Sequence, residues 1–405
     1  MFSLQLMAFS IDIGLPLFIR RSDFNNETIN SDFQLNSSTV FYGLNQFSRL
    51  NDCLLKYAES KGNRIKIKWH SKGKVLLIIL CQEEYLLREK HLDRFLVLII
   101  NAIQMTCGPD VFFIEDFDKQ KRDLKFAHHL LDCLVNLFVS TNVDRINVIA
   151  HSVNYEPIDR SKSINSFLSF LNRLESIQYW ALFVQEKLTF ASKEWWSTLV
   201  SDHHTYSCLI CYLINSFTDT VLEKGMEKIT IFLPYENNVI PQNLTIIPLA
   251  KHLRVCLISS KNSNLNYLTS EIPAINDSTE PSSILNSSSL LNGDNDKAIS
   301  AFIIFNTKHR IHSIYNPTIV QNYLDEIIVF CNCDFNSENE QDSIIANDHL
   351  IMCKISNKHF ILCTLFTSIN QQQLSLQKLK KLTKNLAFNL LNLNKNKSIW
   401  PFFFF

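Results

Sequence analysis

Glycine is scarce in this chain of 405 residues, which contains only 7 of them. No two glycines have the spacing of G-x-G-x-x-G or G-x-x-x-x-G-K-[ST], the two common backbone cradles for nucleotide phosphates. The sequence therefore excludes the usual dinucleotide-binding enzymes, P-loop NTPases and protein kinases.

An excess of charge and long apolar runs are also missing. Lysine and arginine (39) balance aspartate and glutamate (39), so no net field favours nucleic acid as a partner. The longest apolar stretch, residues 95–103, is interrupted by Asn101 and is too short to span a bilayer. Residues 1–18 lack a basic segment and contain a turn signal at Gly14 and Pro16, so we expect no secretory signal.

The 11 cysteines are an odd number spread along the chain, which favours reduced thiols in a cytosolic protein over a disulfide framework. Cys208-x-x-Cys211 has the residue types of a zinc site, but a structural zinc ion needs four ligands. The other tight pair, Cys331-x-Cys333, has poor spacing for this purpose. Because residues 206–214 are apolar, we predict buried thiols on a helix, and no metal or cofactor.

No residue pattern indicates catalysis. His151-Ser152 follows an apolar run and has a weak likeness to a nucleophile elbow. The flanking glycines that permit such a sharp turn are replaced by Ala150 and Asn154. We expect no catalytic residue and classify the chain as a non-enzyme.

Two polar stretches, near residues 155–163 and at 259–296, divide the chain into three segments. The first segment predicts a β-hairpin at 2–10 and 15–20, followed by an amphipathic helix at 40–58. Strands at 64–69 and 75–81 come next, the second being a continuous apolar run typical of a central strand. Helices at 84–105 and 119–140 end the segment.

The later segments repeat this order in weaker form. The middle segment predicts a helix at 164–174, a hairpin at 179–191, a helix at 197–217 and three further strands. The third predicts strands at 301–305 and 311–315, a helix at 317–329, a strand pair at 349–365 and a helix at 374–393. Three copies of one small α+β layout explain these patterns better than three unrelated domains.

Several short runs occur in a recognisable order. They are IGLPLFIR at 13–20, KWH at 68–70, LTFASKEWW at 188–196, IFLP at 231–234, VIPQNL at 239–244 and LRVCL at 253–257. In order and spacing they resemble the Fuzzy family of planar cell polarity effectors over roughly residues 1–260. The third segment is similar in layout more than in letters.

This resemblance implies an α+β fold of three consecutive longin-like domains, each a small antiparallel sheet flanked by helices. They would occupy residues 1–150, 163–260 and 298–398, with a disordered polar linker at 261–297. The terminal residues 400–405, a Trp-Pro pair and four phenylalanines, depart from the family pattern and have no explanation.

The resemblance also implies partners and a location. The family pairs with Inturned, another tri-longin protein, and with the WD-repeat protein Fritz, in a complex that activates a Rab GTPase at the ciliary base. The first longin domains associate, which here corresponds to residues 1–140. A phosphoinositide membrane surface is a further partner, and the expected locations are the cytoplasm, the cytoskeleton and the ciliary basal body.

Five basic residues form the first candidate binding surface: Arg64, Lys66, Lys68, Lys72 and Lys74. Along the predicted strand at 64–69, basic residues alternate with apolar ones. One interpretation is a solvated strand face that resists edge-to-edge aggregation. The other is a patch for anionic lipid or an acidic partner.

Trp195 and Trp196 form the second candidate, a partner hot spot, because two adjacent indoles cannot both enter one core along a regular strand. Alternatively, a bend buries both.

The helix at 374–393 interleaves leucines with Lys378, Lys380, Lys381 and Lys384. It is either a membrane-surface helix or a domain helix with an exposed basic side, and we favour the second.

The sequence thus predicts a non-catalytic subunit that pairs with an Inturned-like protein to form a Rab guanine-nucleotide exchange complex for cilium assembly and vesicle trafficking. The alternative is a longin-type trafficking adaptor that binds phosphoinositide membranes, coats or fusion proteins without exchange activity.

Overall fold

The structure is a computed structural model in which the chain forms two compact units. One unit comprises Met1–Ser140 with Thr230–Pro241, and the other comprises Thr141–Ile229 with Gln242–Phe405. The described residues are 3–22, 31–60, 65–82, 89–140, 142–156, 162–174, 177–184, 187–200, 204–216, 227–235, 238–250, 253–260, 299–306, 311–331, 341–346, 350–356, 360–367 and 376–397. Arg64, the predicted linker 261–297 and the terminal residues 400–405 lie outside them.

The first unit is built on a five-stranded antiparallel sheet in the order β2-β1-β5-β4-β3. Its strands are β1 (Ser3–Ser10), β2 (Pro16–Arg21), β3 (Tyr57–Glu59), β4 (Ile65–Lys72) and β5 (Val75–Gln82). The predicted hairpin of β1 and β2 and the central position of β5 are both confirmed. Five consecutive residues of β5 are buried, because helices cover both faces of the sheet.

Four α-helices accompany this sheet: α1 (Ser31–Leu50), α2 (Glu89–Cys107), α3 (Phe117–Asp123) and α4 (His128–Val139). The prediction of one helix at 119–140 is wrong, since a 3₁₀ turn at Leu124–Ala127 separates α3 from α4. The predicted bounds of α1 are also wrong. The helix begins at residue 31 and ends at Leu50, and β3 occupies the end of the predicted range 40–58.

Each face of the first sheet has its own core. On one face, Met7, Phe9 and Trp69 form a cluster against which Phe41 and Tyr42 of α1 pack. On the other face, α2 packs against α4. There the ring of Phe95 stacks on that of Phe138 at 4.2 Å between centroids.

The second sheet has the order β8-β7-β11-β10-β9. Its strands are β7 (Ile177–Val184), β8 (Lys187–Ala191), β9 (Glu227–Tyr235), β10 (Asn238–Ala250) and β11 (Leu253–Ser260). The predicted hairpin at 179–191 is confirmed as β7 and β8. The helices of this region are α5 (Arg145–Ala150), α6 (Lys162–Leu171) and α7 (His204–Ser216), with a π-helical turn at Trp195–Val200 before α7.

The third sheet has six strands in the order β14-β15-β16-β12-β13-β6. Its strands are β6 (Val153–Asn154), β12 (Ala301–Asn306), β13 (Ile311–Tyr315), β14 (Gln341–Ala346), β15 (Leu350–Ser356) and β16 (Phe360–Thr367). Its helices are α8 (Pro317–Asn322), α9 (Leu324–Cys331) and α10 (Leu376–Lys397). Strand β14 was not predicted, and Tyr323 divides the predicted helix at 317–329.

The three sheets share one strand order. If the five strands of each sheet are numbered one to five along the chain, starting at β1, β7 and β12, their order across every sheet is 2-1-5-4-3. The third sheet carries β6 as a sixth strand next to β13. The predicted mixed α+β class is therefore confirmed. In every copy the second strand of the first hairpin, which is β2, β8 or β13, lies at the outer edge of the five.

In the second unit, strand β6 and the residues after it lie between two of these edges. Strand β6 pairs in parallel with β13, and Tyr155 forms a parallel bridge with Leu188 of β8. The Tyr155 N–H donates to the His312 carbonyl at 2.8 Å, and the Glu156 N–H donates to the Leu188 carbonyl at 3.0 Å. This short segment therefore connects the second sheet to the third.

Candidate functional site

The outer face of α1 carries an apolar stripe. We define the α1 stripe as Val40, Leu44, Phe47, Leu50 and Leu54, which are 57%, 46%, 67%, 84% and 74% exposed. The first four recur three or four residues apart on the helix, and Leu54 follows the turn that ends the helix. Large apolar side chains in a continuous exposed row are typical of an interaction surface.

The inner face of α1 is anchored to the sheet partly by polar groups. The Tyr42 hydroxyl donates to the Ile11 carbonyl at 2.8 Å, and Nε2 of Gln46 donates to the same carbonyl at 3.2 Å. Nε1 of Trp69 donates to the Phe41 carbonyl at 3.3 Å. Because these bonds and the apolar cluster hold the inner face against the sheet, they keep the α1 stripe turned outward.

The β1–β2 turn adds two exposed apolar residues near this helix. Ile13 is 53% exposed and Leu15 is 50% exposed. Between them, Gly14 has a φ of +79°, and a Cβ there would come within 2.8 Å of the Tyr42 ring. Glycine is therefore required for the turn to approach α1 so closely.

The predicted basic surface on β4 is largely buried. Lys66 is 8% exposed and Lys68 is 7% exposed. Nζ of Lys68 lies 2.7 Å from Glu89 Oε1 and 2.6 Å from Asp93 Oδ1, both on α2. Burial lowers the pKa of Lys68, but the hydrogen bonds and charges of Asp93 and Glu89 outweigh it, and the net direction is upward.

The other two described members of that surface are also engaged within the unit. The ammonium group of Lys72 lies 5.0 Å from the Phe112 ring centroid, and that of Lys74 lies 3.0 Å from Asp12 Oδ2. The expectation of a solvated lysine face on β4 is thus wrong. The strand alternates as predicted, but α2 covers its basic side.

Both indoles of the predicted hot spot are buried, with Trp195 at 0% and Trp196 at 3% exposure. The backbone N–H of Trp195 donates to Ser192 Oγ at 3.1 Å, where the chain leaves β8 and enters the π-helical turn. The alternative of a bend that buries the pair is therefore correct. Neither side chain presents a surface to a partner.

The cysteine pair on α7 is buried as predicted. Cys208 is 1% exposed and Cys211 is 7% exposed. Burial raises the pKa of the Cys208 thiol to about 12, and its Sγ donates to the Ser152 carbonyl at 3.6 Å. A neutral thiol of this kind is a poor nucleophile and a poor metal ligand. Across the described residues, no group of three His, Cys, Asp or Glu side chains is arranged to hold a metal ion.

Ser152 forms a serine–histidine pair, but with His312 rather than with its neighbour His151. Ser152 Oγ lies 2.9 Å from His312 Nδ1, and both residues are 0% exposed. Burial, followed by the charge of Lys187, lowers the pKa of His312 to about 3. A substrate cannot reach this pair in the present conformation, so we assign it a structural role.

A cavity of about 500 Å³ opens beside α6 in the second unit. Trp180, Phe190 and Lys193 are among its lining residues. Nε1 of Trp180 already donates to Asn172 Oδ1 at 3.2 Å, another lining residue. The lining therefore defines no ligand by itself.

The lysine-rich helix α10 packs on the third sheet through its leucines. Leu379, Leu382 and Leu386 are at most 4% exposed, and Thr383 Oγ1 lies 2.7 Å from Thr364 Oγ1 of β16. The interpretation as a domain helix with a basic outer side is therefore correct. Its apolar face is occupied by the sheet and cannot enter a bilayer.

Comparison with known proteins adds no family assignment. No family model matches the chain, and a search of curated proteins returns no match. Within the part of the chain that the structure describes, no helix is long and apolar enough to cross a membrane.

Of the surfaces described above, the α1 stripe is the strongest candidate site, because its apolar side chains are exposed whereas the predicted tryptophan pair and Lys68 are buried. The sequence pattern that revealed α1 contained the same residues but did not show which way they face.

Proposed function

We propose that the chain is a non-catalytic subunit that binds an Inturned-like tri-longin protein through the α1 stripe. Together they form an exchange complex for a Rab GTPase, with the WD-repeat protein Fritz as a further member. The observation that carries this proposal is the exposed apolar row on α1, which lies within residues 1–140. That range corresponds to the pairing domain in the family that the sequence resembles.

The repeated sheet order supports the longin-like part of the proposal. Three copies of one five-stranded antiparallel arrangement are expected if each segment is a longin-like domain. A fold alone does not define a function, so the argument for pairing depends on the α1 stripe. Burying a leucine or phenylalanine of this row would stabilise a complex by about 1.5–3 kcal/mol per side chain.

Nucleotide exchange of this type needs no acid, base or nucleophile on the subunit. A GTPase is driven to release its nucleotide when the complex binds the nucleotide-free state more tightly than the loaded state. The buried thiols on α7 and the enclosed Ser152–His312 pair are compatible with such a role, because the role uses shape and apolar contact.

Co-expression with the Inturned homologue of the same organism tests the proposal. We expect one complex on size exclusion that accelerates release of a fluorescent guanine nucleotide from a Rab GTPase. The double variant Leu44→Ser, Phe47→Ser should weaken association at least about tenfold, as expected when two buried anchors are lost. Phe113→Ser with Phe126→Ser is the matched control, since these side chains are 61% and 73% exposed elsewhere on the unit.

Separate elution of the two wild-type proteins, without nucleotide release, would defeat the proposal. A complex without nucleotide release would favour the alternative, a trafficking adaptor of longin type. Strand β4 gives little support to phosphoinositide binding by such an adaptor, because Lys68 already bonds two carboxylates of α2. Vesicle flotation of the full chain distinguishes the membrane-bound adaptor from one that binds only proteins.

A further inference from the structure

The edge of the first sheet that β2 forms has equivalents in the other two sheets, and both of those form backbone pairs with a further segment of the chain. Strands β8 and β13 occupy the position in their sheets that β2 occupies in the first sheet. Both accept backbone pairing from the segment that contains β6 and Tyr155. One of the three equivalent edges therefore adds a short strand, and a second forms an isolated bridge with the same segment. Among the described residues no added strand pairs with β2.

The hydrogen-bond pattern identifies which groups of β2 point to the open side. The Ser22 N–H donates to the Leu4 carbonyl at 3.1 Å. Hydrogen-bonded pairs alternate in an antiparallel ladder, so Arg20, opposite Leu6, also bonds to β1. It follows that Ile19 and Arg21 direct their N–H and carbonyl groups away from β1, toward the open edge.

We propose that β2 pairs with β2 of a second copy of this chain, which joins two first sheets into one continuous antiparallel sheet. A two-fold axis at Ile19 makes such a contact identical from both sides and closes it as a dimer. The outward backbone groups then bond to each other, as they do when any extended segment adds to a sheet edge.

The sequence of β2 is compatible with this register. Pairing centred on Ile19 places Phe18 opposite Arg20 and Leu17 opposite Arg21 of the second copy. No two arginines then face each other, so the register opposes no like charges directly. Arg20 is also neutralised within its own unit, because its Nη1 lies 3.3 Å from Asp132 Oδ2.

Features that usually discourage edge pairing do not block this edge. Pro16 lacks an N–H, but it begins the strand, before the groups that would bond the second copy. Arginines often protect an edge from aggregation. The equivalent edge strand β8 nevertheless carries Lys187 and still bonds the added segment. The inference is independent of the function proposed above.

Sedimentation velocity of the full-length chain over a concentration series tests the pairing. We expect a monomer–dimer equilibrium with a dissociation constant in the micromolar range, since only a short edge contributes backbone bonds. Arg21→Pro removes an outward N–H and leaves the bonds to β1 in place. It should weaken the dimer at least about tenfold. Arg21→Ala is the matched control, because it removes the same side chain but retains the N–H and should leave the dimer intact.

Hydrogen exchange gives a second readout that needs no variant. Peptides covering residues 16–22 should become more protected as the wild-type chain is concentrated, whereas peptides from β8 should not change. A monomer at every concentration overturns the proposal. So does a dimer that Phe47→Ser dissociates and Arg21→Pro does not, which would place the contact on the α1 stripe.

Discussion

The hydroxyl of Ser152 lies 2.9 Å from Nδ1 of His312, a residue of the third sheet 160 positions further along the chain. The contact adjoins the segment that joins two sheets, because the His312 carbonyl also accepts from the Tyr155 N–H. Both side chains are fully enclosed. Buried polar pairs of this kind fix one arrangement of neighbouring strands, since each partner would be costly to leave unpaired.

Acid should weaken the second unit through His312. The pKa of His312 is about 3 in the folded protein, against 6.5 for the free side chain, because burial disfavours the imidazolium. Below pH 6.5 the unfolded state takes up a proton that the folded state does not. The free energy of unfolding therefore falls by up to about 1.4 kcal/mol per pH unit until the pH nears 3. Thermal denaturation between pH 7 and 4 measures this slope.

The variant His312→Gln separates this effect from general acid denaturation. Glutamine retains a hydrogen-bonding side chain but cannot titrate, so the slope between pH 6.5 and 4 should become shallower. For the chain as a whole the slope should not vanish, because burial also lowers the pKa of His128, a residue of the first unit, to about 4. A slope identical to that of the wild type would show that His312 does not link protonation to folding.

Two glycines should respond in opposite directions to substitution by alanine. Gly43 lies within α1, and a Cβ there would meet nothing within 4 Å. Gly43→Ala should therefore stabilise the first unit by about 0.5–1 kcal/mol. Gly73 has a φ of +55°, and a Cβ there would overlap the Phe112 carbonyl oxygen. Gly73→Ala should destabilise by at least about 2 kcal/mol. Chemical denaturation compares the pair, and equal effects would contradict the prediction.

The helix α1 shows what periodicity can and cannot predict. Apolar residues at helical spacing indicated a helix, and one exists. The same stripe usually marks the side that faces a core. Here Leu44 and Phe47 lie on the exposed face of α1, whereas Tyr42 and Asn45 lie on its inner face. An interaction surface and a core surface have the same apolar pattern, so only the folded chain distinguishes them.

Strand β4 illustrates the same limit for charge. Alternation of lysine and isoleucine correctly predicted a strand, and it suggested that the lysines face water. Lys66 and Lys68 do not, since both are buried and α2 brings two carboxylates over Lys68. Such a contact joins residues 21 or more positions apart, and no local pattern encodes it. Strand β14, with the sequence QDSIIA, was missed because three of its six residues are polar.

The α1 stripe should be dispensable for folding. Phe47→Ser should change the free energy of unfolding by less than about 0.5 kcal/mol, because the ring is 67% exposed. It should also reduce binding of a hydrophobic dye to the isolated chain. Phe41→Ser is the contrast on the inner face, where the ring packs edge-on against Trp69 at 6.4 Å between centroids. Its loss should cost about 2–4 kcal/mol. Similar destabilisation by both variants would mean that the row belongs to the fold.

Replacing Lys68 should lower the free energy of unfolding of the first unit more than replacing Lys74. Lys68 is 8% exposed at its side chain and bonds two carboxylates, so Lys68→Ala leaves Glu89 and Asp93 without their shared cation. Both carboxylates are about half exposed, and water can replace part of the lost interaction. We therefore expect a loss of about 1–3 kcal/mol, less than for a fully buried pair.

Lys74→Ala is the matched control, since Lys74 also contacts two carboxylates, those of Asp12 and Glu115, but its side chain is 36% exposed. Its removal should have the smaller effect, and added salt should reduce that effect further, because exposed pairs are screened. Salt should change the effect of Lys68→Ala much less. Denaturation of both variants at low and high ionic strength provides the comparison. If salt abolished the difference between them, Lys68 would act as an ordinary surface charge, contrary to its position under α2.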